Sequence, residues 1–216
     1  DNNPLIHAFA IDGVDDGLNS SCSREISLQV AVGADHICAI SDGFTEGSGE
    51  TICWGDDTYG QTTPPNDRHI HVVSGDGFSC GIAYDSNATL GHGPISCWGR
   101  NSSNIVNDAP SGAFFAIAAG ADHVCAIEEG GVLACWGDDS FGQVSGAPSN
   151  DTFVQLSLAS EHSCGLNTNA QVRCWGENNE FENTTPPLSR FARIETSDTH
   201  SCALSAALLS SASKLR

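Results

Sequence analysis

Residues Ala134–Gln143 read ACWGDDSFGQ and residues Ile52–Gln61 read ICWGDDTYGQ. The shared phrase belongs to a longer repeat. Cys-Trp-Gly begins at Cys53, Cys97, Cys135 and Cys174, and these four phrases hold every tryptophan of the chain. Between them recurs a second phrase: HICAI from His36, FSCGI from Phe78, HVCAI from His123, HSCGL from His162 and HSCAL from His200, at intervals of 38 to 45 residues. A period of that length marks a small supersecondary unit that cannot bury its own faces and must stack on copies of itself.

Within a unit the hydrophobic period is two. Leu28, Val30 and Val32 alternate with Gln29 and Ala31, and Val154, Leu156 and Leu158 alternate with Gln155 and Ser157, the pattern of half-buried strands. A short turn (GADH, ASEH) leads to a second strand carrying the first cysteine. A tight turn, plainest at Glu128–Gly131, leads to a third strand ending in Cys-Trp-Gly, and a polar loop closing in proline follows. Folding Cys125–Cys135 about Gly130 sets Ala126 against Ala134, Ile127 against Leu133 and Cys125 against Cys135; folding Cys164–Cys174 about Asn169 does the same. Directly opposed residues in an antiparallel pair lie about 4.5–5.5 Å apart, within disulfide reach. Cys38–Cys53 and Cys80–Cys97 fit the same bridge over longer hairpin loops. The rival, zinc held by the His-x-Cys phrase and the later cysteine, is a ligand short, and Phe78 replaces the histidine in the second unit. Tryptophan, next to cysteine on a strand, points to the opposite face. Each small sheet thus has both faces occupied and must lie between neighbours. The expectation is an all-β protein of short antiparallel sheets, each with a cross-strand disulfide; stacked radially such units make a β-propeller of about five blades, and stacked linearly a solenoid.

These units of Trp-Gly, an acid or Asn, and then Gly-Gln resemble the regulator-of-chromosome-condensation repeat, and the added cysteines resemble its secreted branch, the ectodomains of crinkly-type plant receptor kinases. The resemblance runs from about Ile26 to Leu204. It implies four-stranded propeller blades. It implies little about function, because the family includes exchange factors, chromatin binders, enzyme inhibitors and receptor ectodomains. The chain departs from the usual seven blades, with four complete units and a fifth half-unit.

Two cysteines stand outside the hairpins, Cys22 before the first unit and Cys202 in the last. A Cys22–Cys202 bridge, with segment 1–25 completing the last blade, would close a five-unit ring over residues 26–204 and leave 205–216 as a tail. The alternative is a longer array from which this chain is cut. The absence of Met agrees with a processed or partial chain.

Composition narrows the function. Twenty-seven acids against eight bases give a formal net charge of −19, which repels phosphate backbones and argues against nucleic-acid partners. No apolar run reaches the length of a membrane span, so direct insertion is not expected. Ten cysteines in even number suit an oxidising compartment. Sequons at Asn19, Asn87, Asn101, Asn150 and Asn183 fall in expected loops and agree with a secreted glycoprotein. The Thr-Thr-Pro-Pro loops at Thr62–Pro65 and Thr184–Pro187 are candidates for O-linked sugars. Asp56–Asp57 and Asp138–Asp139 read as Asx-type turns. DGVDDG, Asp12–Gly17, is the best metal candidate but does not match calcium-loop spacing, and no metal or cofactor is expected. His36, His123, His162 and His200 occupy one repeat position, which suits a structural hydrogen bond rather than a singular catalytic residue, and no nucleophile signature stands out. The expected function is a non-enzymatic extracellular binding module with a protein or glycan partner. The alternative is a structural subunit of a filament or wall-type assembly, in which the partner is the chain itself.

Overall fold

A computed structural model describes residues 29–41, 49–85, 91–178 and 190–205. The segments 1–25 and 205–216 set apart in the sequence therefore lie almost wholly outside the described residues. The rest is strand, turn and loop, apart from one turn of 3-10 helix at Ser102–Asn104.

Five units follow one another. Unit one holds β1 (Val30–Val32), β2 (His36–Ile40) and β3 (Gly49–Gly55). Unit two holds β4 (Arg68–Ser74), β5 (Phe78–Ala83) and β6 (Ile95–Gly99). Unit three holds β7 (Phe114–Ala119), β8 (His123–Glu128) and β9 (Leu133–Gly137). Unit four holds β10 (Phe153–Leu158), β11 (His162–Asn167) and β12 (Val172–Gly176), and unit five holds β13 (Phe191–Ser197) and β14 (His200–Ser205). All pairings are antiparallel meanders, with Cys38, Cys80, Cys125 and Cys164 directly opposite Cys53, Cys97, Cys135 and Cys174. Each pair is a disulfide with S–S distances of 2.07–2.09 Å. The tight turn of unit three uses Gly130 and Gly131 at positive φ; at the equivalent of Gly131, unit four places Ala170 at φ 62°.

In units two to five the first strand begins on the hairpin of the unit before it. Phe114 exchanges backbone hydrogen bonds with Gly93, and the amides of Phe153 and Phe191 donate to Gly131 and Ala170. A bulge follows each of these residues. In unit two His69 takes the phenylalanine's place, buried between the hydroxyls of Thr51 and Ser96 at 2.8 and 3.1 Å.

The core sits between units rather than inside them. One cluster joins Ala31, Cys38 and Ile40 of unit one to Val72 and Trp98 of unit two. A second joins Phe78, Cys80 and Ile82 to Phe114, Val124, Ala126 and Trp136 of unit three. A third joins Cys164, Leu166 and Val172 to Ile194 of unit five. Units two, three and four therefore each have a rear face, carrying the disulfide, against the next unit, and a front face, carrying the tryptophan, against the unit before. Two strands depart from the alternation expected of them; in β10 Val154 is exposed while Gln155 and Ser157 are half-buried. In β1 it is Ala31 that is buried, while Val30 and Val32 are exposed, because the front face of unit one meets no described neighbour.

Candidate interaction surface

The turns between first and second strands and the loops after each Trp-Gly meet at one end of the array. The amides of Asp56, Arg100, Asp138 and Glu177 donate to the carbonyls of Asp35, Gly77, Asp122 and Glu161. The turns also bond to one another across units, from the Ala34 amide to Gly75 and from the Asp76 amide to Ala121. The inner ends of all five first strands line one open cavity of about 270 Å³, which includes Val32, Ser74, Ala119, Leu158 and Thr196.

This end is acidic. The turns contribute Asp35, Asp76, Asp122, Glu161 and Asp198, and the loops contribute Asp56, Asp57, Asp138, Asp139 and Glu177. Arg100 is the one Lys or Arg there among the described residues. Its guanidinium bridges Asp76 at 2.9 Å and Asp122 at 2.7 Å, tying units two and three together. The remaining described arginines lie on first strands or beside the hairpin turns.

The repeated ten-residue phrase builds the loops. Asp56 Oδ1 accepts the Thr58 hydroxyl, Asp56 Oδ2 accepts the Gln61 side-chain amide, and Gln61 Oε1 accepts the Tyr59 amide. Asp138, Ser140, Phe141 and Gln143 repeat the same bonds. Asp57 and Asp139 then accept amides from Thr62 and from Val144 and Ser145. These are the Asx-type loops read from the sequence. The bonds favour the carboxylates: the Thr58 hydroxyl holds Asp56 below its usual range, Thr62 does the same to Asp57, and the Ser145 amide to Asp139. The buried glutamine has a second task. The indole of Trp98 donates to the Gln61 carbonyl at 3.0 Å, Trp175 donates to Gln143 at 2.9 Å, and Trp136 donates to Ile105 of unit two's irregular loop at 2.9 Å. Each loop thus caps the tryptophan of the next unit. Each well-formed copy also presents an exposed aromatic, Tyr59 or Phe141.

The histidines are seam latches rather than turn residues. Nε2 of His36, His123 and His162 meets the hydroxyl of Ser79, Ser163 and Ser201 in the next unit, at 2.7, 2.8 and 3.1 Å. Where Phe78 replaces the histidine, Val124 replaces the serine, and the two share an apolar cluster. Burial pushes the His123 imidazole down to about 4, and it lowers His36, His69 and His71 as well. His200 differs: it is exposed and bonds to Ser197 of its own unit.

Of the sequon asparagines, Asn101 is exposed in the loop after Trp98–Gly99 and Asn150 is exposed just before β10, while Asn19, Asn87 and Asn183 lie outside the described residues. Asn101 Oδ1 holds the Val106 and Asn107 amides. Cys202 is free and exposed; Cys22, its expected partner, lies outside the described residues, as does Asp12–Gly17. No described helix is long and apolar enough to cross a membrane.

Residues 116–143 and 153–182 match the regulator of chromosome condensation (RCC1) repeat. Units three and four thus match that repeat, and units one to four each hold one disulfide. It superposes on the entire ectodomain of the Physcomitrella patens receptor kinase CR4 with a TM-score of 0.64 and 28% identity, over 82% of this chain and 46% of that one. It also resembles human WBSCR16, with a TM-score of 0.66 and 12% identity over 84% of this chain and 60% of that one, a likeness of fold alone. The serine/threonine-protein kinase-like protein CCR2 of Arabidopsis thaliana is 32% identical over 117 residues, which is 47% of this chain and 14% of that protein. The chain thus spans less than half the length of the CR4 ectodomain and a small part of CCR2.

Proposed function

We propose that this chain is a non-enzymatic, secreted binding module, a propeller-type array whose acidic end engages a basic protein partner. The observation that carries the reading is the placement of charge: each unit contributes a carboxylate to one end, on turns and loops fixed by hydrogen bonds, with exposed aromatics among them. A rigid scaffold presenting variable loops is a common design for recognition, and a field of one sign speeds encounter with an oppositely charged surface. The four disulfides and the likeness to a receptor-kinase ectodomain support an extracellular setting. We place N-linked glycans on Asn101 and Asn150.

The test is a binding screen of the glycosylated chain against a panel of secreted proteins, repeated with Asp35→Lys/Glu161→Lys and with Tyr59→Ser/Phe141→Ser. Partners that are basic, salt-sensitive and lost with either variant support the proposal. Partners indifferent to both variants refute it. The alternative, a subunit of a filament or wall-type assembly, requires growth with concentration. Light scattering and electron microscopy of the same sample distinguish the two.

A further inference from the structure

The loop of unit two keeps the frame of the repeated phrase and changes what that frame presents. In units one, two and three the sixth residue after Trp-Gly caps the next tryptophan with its carbonyl: Gln61, Ile105 and Gln143. The residue before it stands at positive φ each time, Gly60 at 81°, Asn104 at 56° and Gly142 at 78°. Matched on this frame, Arg100 takes the place of Asp56 and Asp138, Asn101 that of Asp57 and Asp139, and Ser103 that of the exposed Tyr59 and Phe141. At these positions unit two therefore offers neither of the features, carboxylate and aromatic, that the other two loops hold out to a partner.

What stands there instead is a sequon, Asn101-Ser102-Ser103. Asn101 does the loop work of the aspartate it replaces. Its Oδ1 accepts the amides of Val106 and Asn107 at 2.9 and 3.3 Å, as Asp139 Oδ1 accepts those of Val144 and Ser145 at 2.9 and 2.8 Å. An amide can do this and carry a sugar at once, because attachment uses only Nδ2. Nδ2 displaces the lipid diphosphate of an activated sugar donor from the anomeric carbon. One C–O bond breaks, one C–N bond forms, the lipid diphosphate leaves with the electron pair, and Nδ2 gives up one proton. Oδ1 is untouched and keeps both lone pairs for the loop. Asn101 is exposed, and its neighbour Arg100 is tied to Asp76 and Asp122, so the first sugar stands on an anchored loop.

We propose that the loop of unit two is a glycan platform within the acidic end: an N-linked glycan leaves Asn101 from Nδ2 while Oδ1 keeps the loop folded, and the sugar fences a basic partner off unit two. Contact is then divided between two patches, one around Asp57 and Tyr59 and one around Asp139 and Phe141. The Arg100 bridge acts in the same sense, since it offsets part of the negative charge where the sugar stands. This inference rests on the reading of the acidic end as the binding end.

The test uses the full chain secreted from a host that attaches N-linked sugars, with decalysine as the basic probe. A carbodiimide joins the probe to the carboxylates it touches, and peptide mapping reads both the links and the sugar. In the parent, Asn101 is expected to carry sugar, with links at Asp57 and Asp139 and few at the exposed Asp108 of unit two's loop. The Ser103→Asn variant removes the sequon, and asparagine tolerates the φ of 52° found there. It is expected to raise the Asp108 links several-fold and leave the other two unchanged. A bare Asn101 in the parent overturns the proposal. Equal Asp108 links with and without the sugar overturn the fence while leaving the acidic end as the binding end; links at none of the three overturn that reading itself. Urea midpoints test the loop anchor. Asn101→Asp keeps an acceptor and should match Ser103→Asn, both lacking the sugar, whereas Asn101→Ala should fall below them. Equal midpoints for the alanine and aspartate variants overturn the double role of Asn101.

Discussion

Exchanging one latch for the other kind tests the seam chemistry directly. His123 is fully buried, and Gly120 lets the ring pack against backbone as Gly75 does for Phe78. The variant is His123→Phe/Ser163→Val, which copies the Phe78–Val124 pair onto the seam of units three and four. Each single substitution strands a buried polar group and is expected to cost about 1–3 kcal/mol. The double variant should recover at least about 1 kcal/mol of their summed cost as coupling energy. The pH dependence is the sharper readout. An unfolded histidine titrates near 6.5, and His123 in the fold titrates at about 4. Between those values the unfolded chain binds a proton that the fold refuses. The stability due to the neutral imidazole is therefore complete above pH 6.5, falls as the pH drops toward 4, and levels off below. At about 1.36 kcal/mol per pH unit, the loss attributable to His123 is about 3 kcal/mol. Urea unfolding followed by tryptophan fluorescence, with disulfides intact, at pH 7 and pH 4 measures it. The parent chain should lose about 3 kcal/mol more than the double variant over that interval. Identical pH dependences would refute the assignment of a buried neutral latch at His123.

Other consequences are open to the same assay. Trp136→Phe removes the 2.9 Å bond to the buried Ile105 carbonyl and should cost about 1–3 kcal/mol, whereas Trp54→Phe, on an uncovered face, should cost far less. Ala170→Gly relieves a left-handed alanine worth about 1–2 kcal/mol while adding about 0.5–1 kcal/mol of unfolded-chain entropy, so it should be neutral to stabilising by up to about 1.5 kcal/mol. Gly131→Ala at the equivalent place should destabilise, since its Cβ would lie 2.9 Å from that of Thr152. Cys125→Ala/Cys135→Ala opens a loop with a sequence separation of 10 and should cost about 2–3 kcal/mol in the chain-entropy model, read as a lower urea midpoint.

What lies within one unit was legible in the sequence. The period-two runs mark strands, and opposed cysteines share a register fixed by the hairpin between them, so residues ten apart could be paired by counting. What lies between units was not. Periodicity says that His123 shares the cysteine face of its strand, but not that it meets Ser163, because which faces touch depends on the stacking direction. The signal was nonetheless present: the unit that replaces histidine with Phe78 is followed by a unit that replaces serine with Val124. Gln61 and Gln143 were likewise read only as part of a loop phrase, since their carbonyls serve tryptophans more than 30 residues onward. The alternation in β1 was read correctly as a strand, but its valines were expected inside; burial there depends on a neighbour, which the alternation cannot specify.

The seams also explain how similar units avoid interchanging places. If every unit stacked by burying tryptophan alone, any front face would fit any rear face, and order would rest on the linkers. Here three of the four seams add a pairing of their own. Units one and two add Gln29 Oε1 accepting the Val72 amide, units two and three add the Arg100 bridge, and units four and five add Gln155 bonded to both the amide and the carbonyl of Ile194. These contacts are individually small but mutually exclusive, so a misplaced unit leaves a buried donor or charge unpaired. The cost of misplacement falls on the turn end, because Arg100 and the capping loops belong both to the seams and to the acidic surface. Correct stacking and a correctly shaped binding end are therefore one condition, and acid should act on both. Protonating His123 loosens the seam of units three and four and, through it, the turn end that the seam supports.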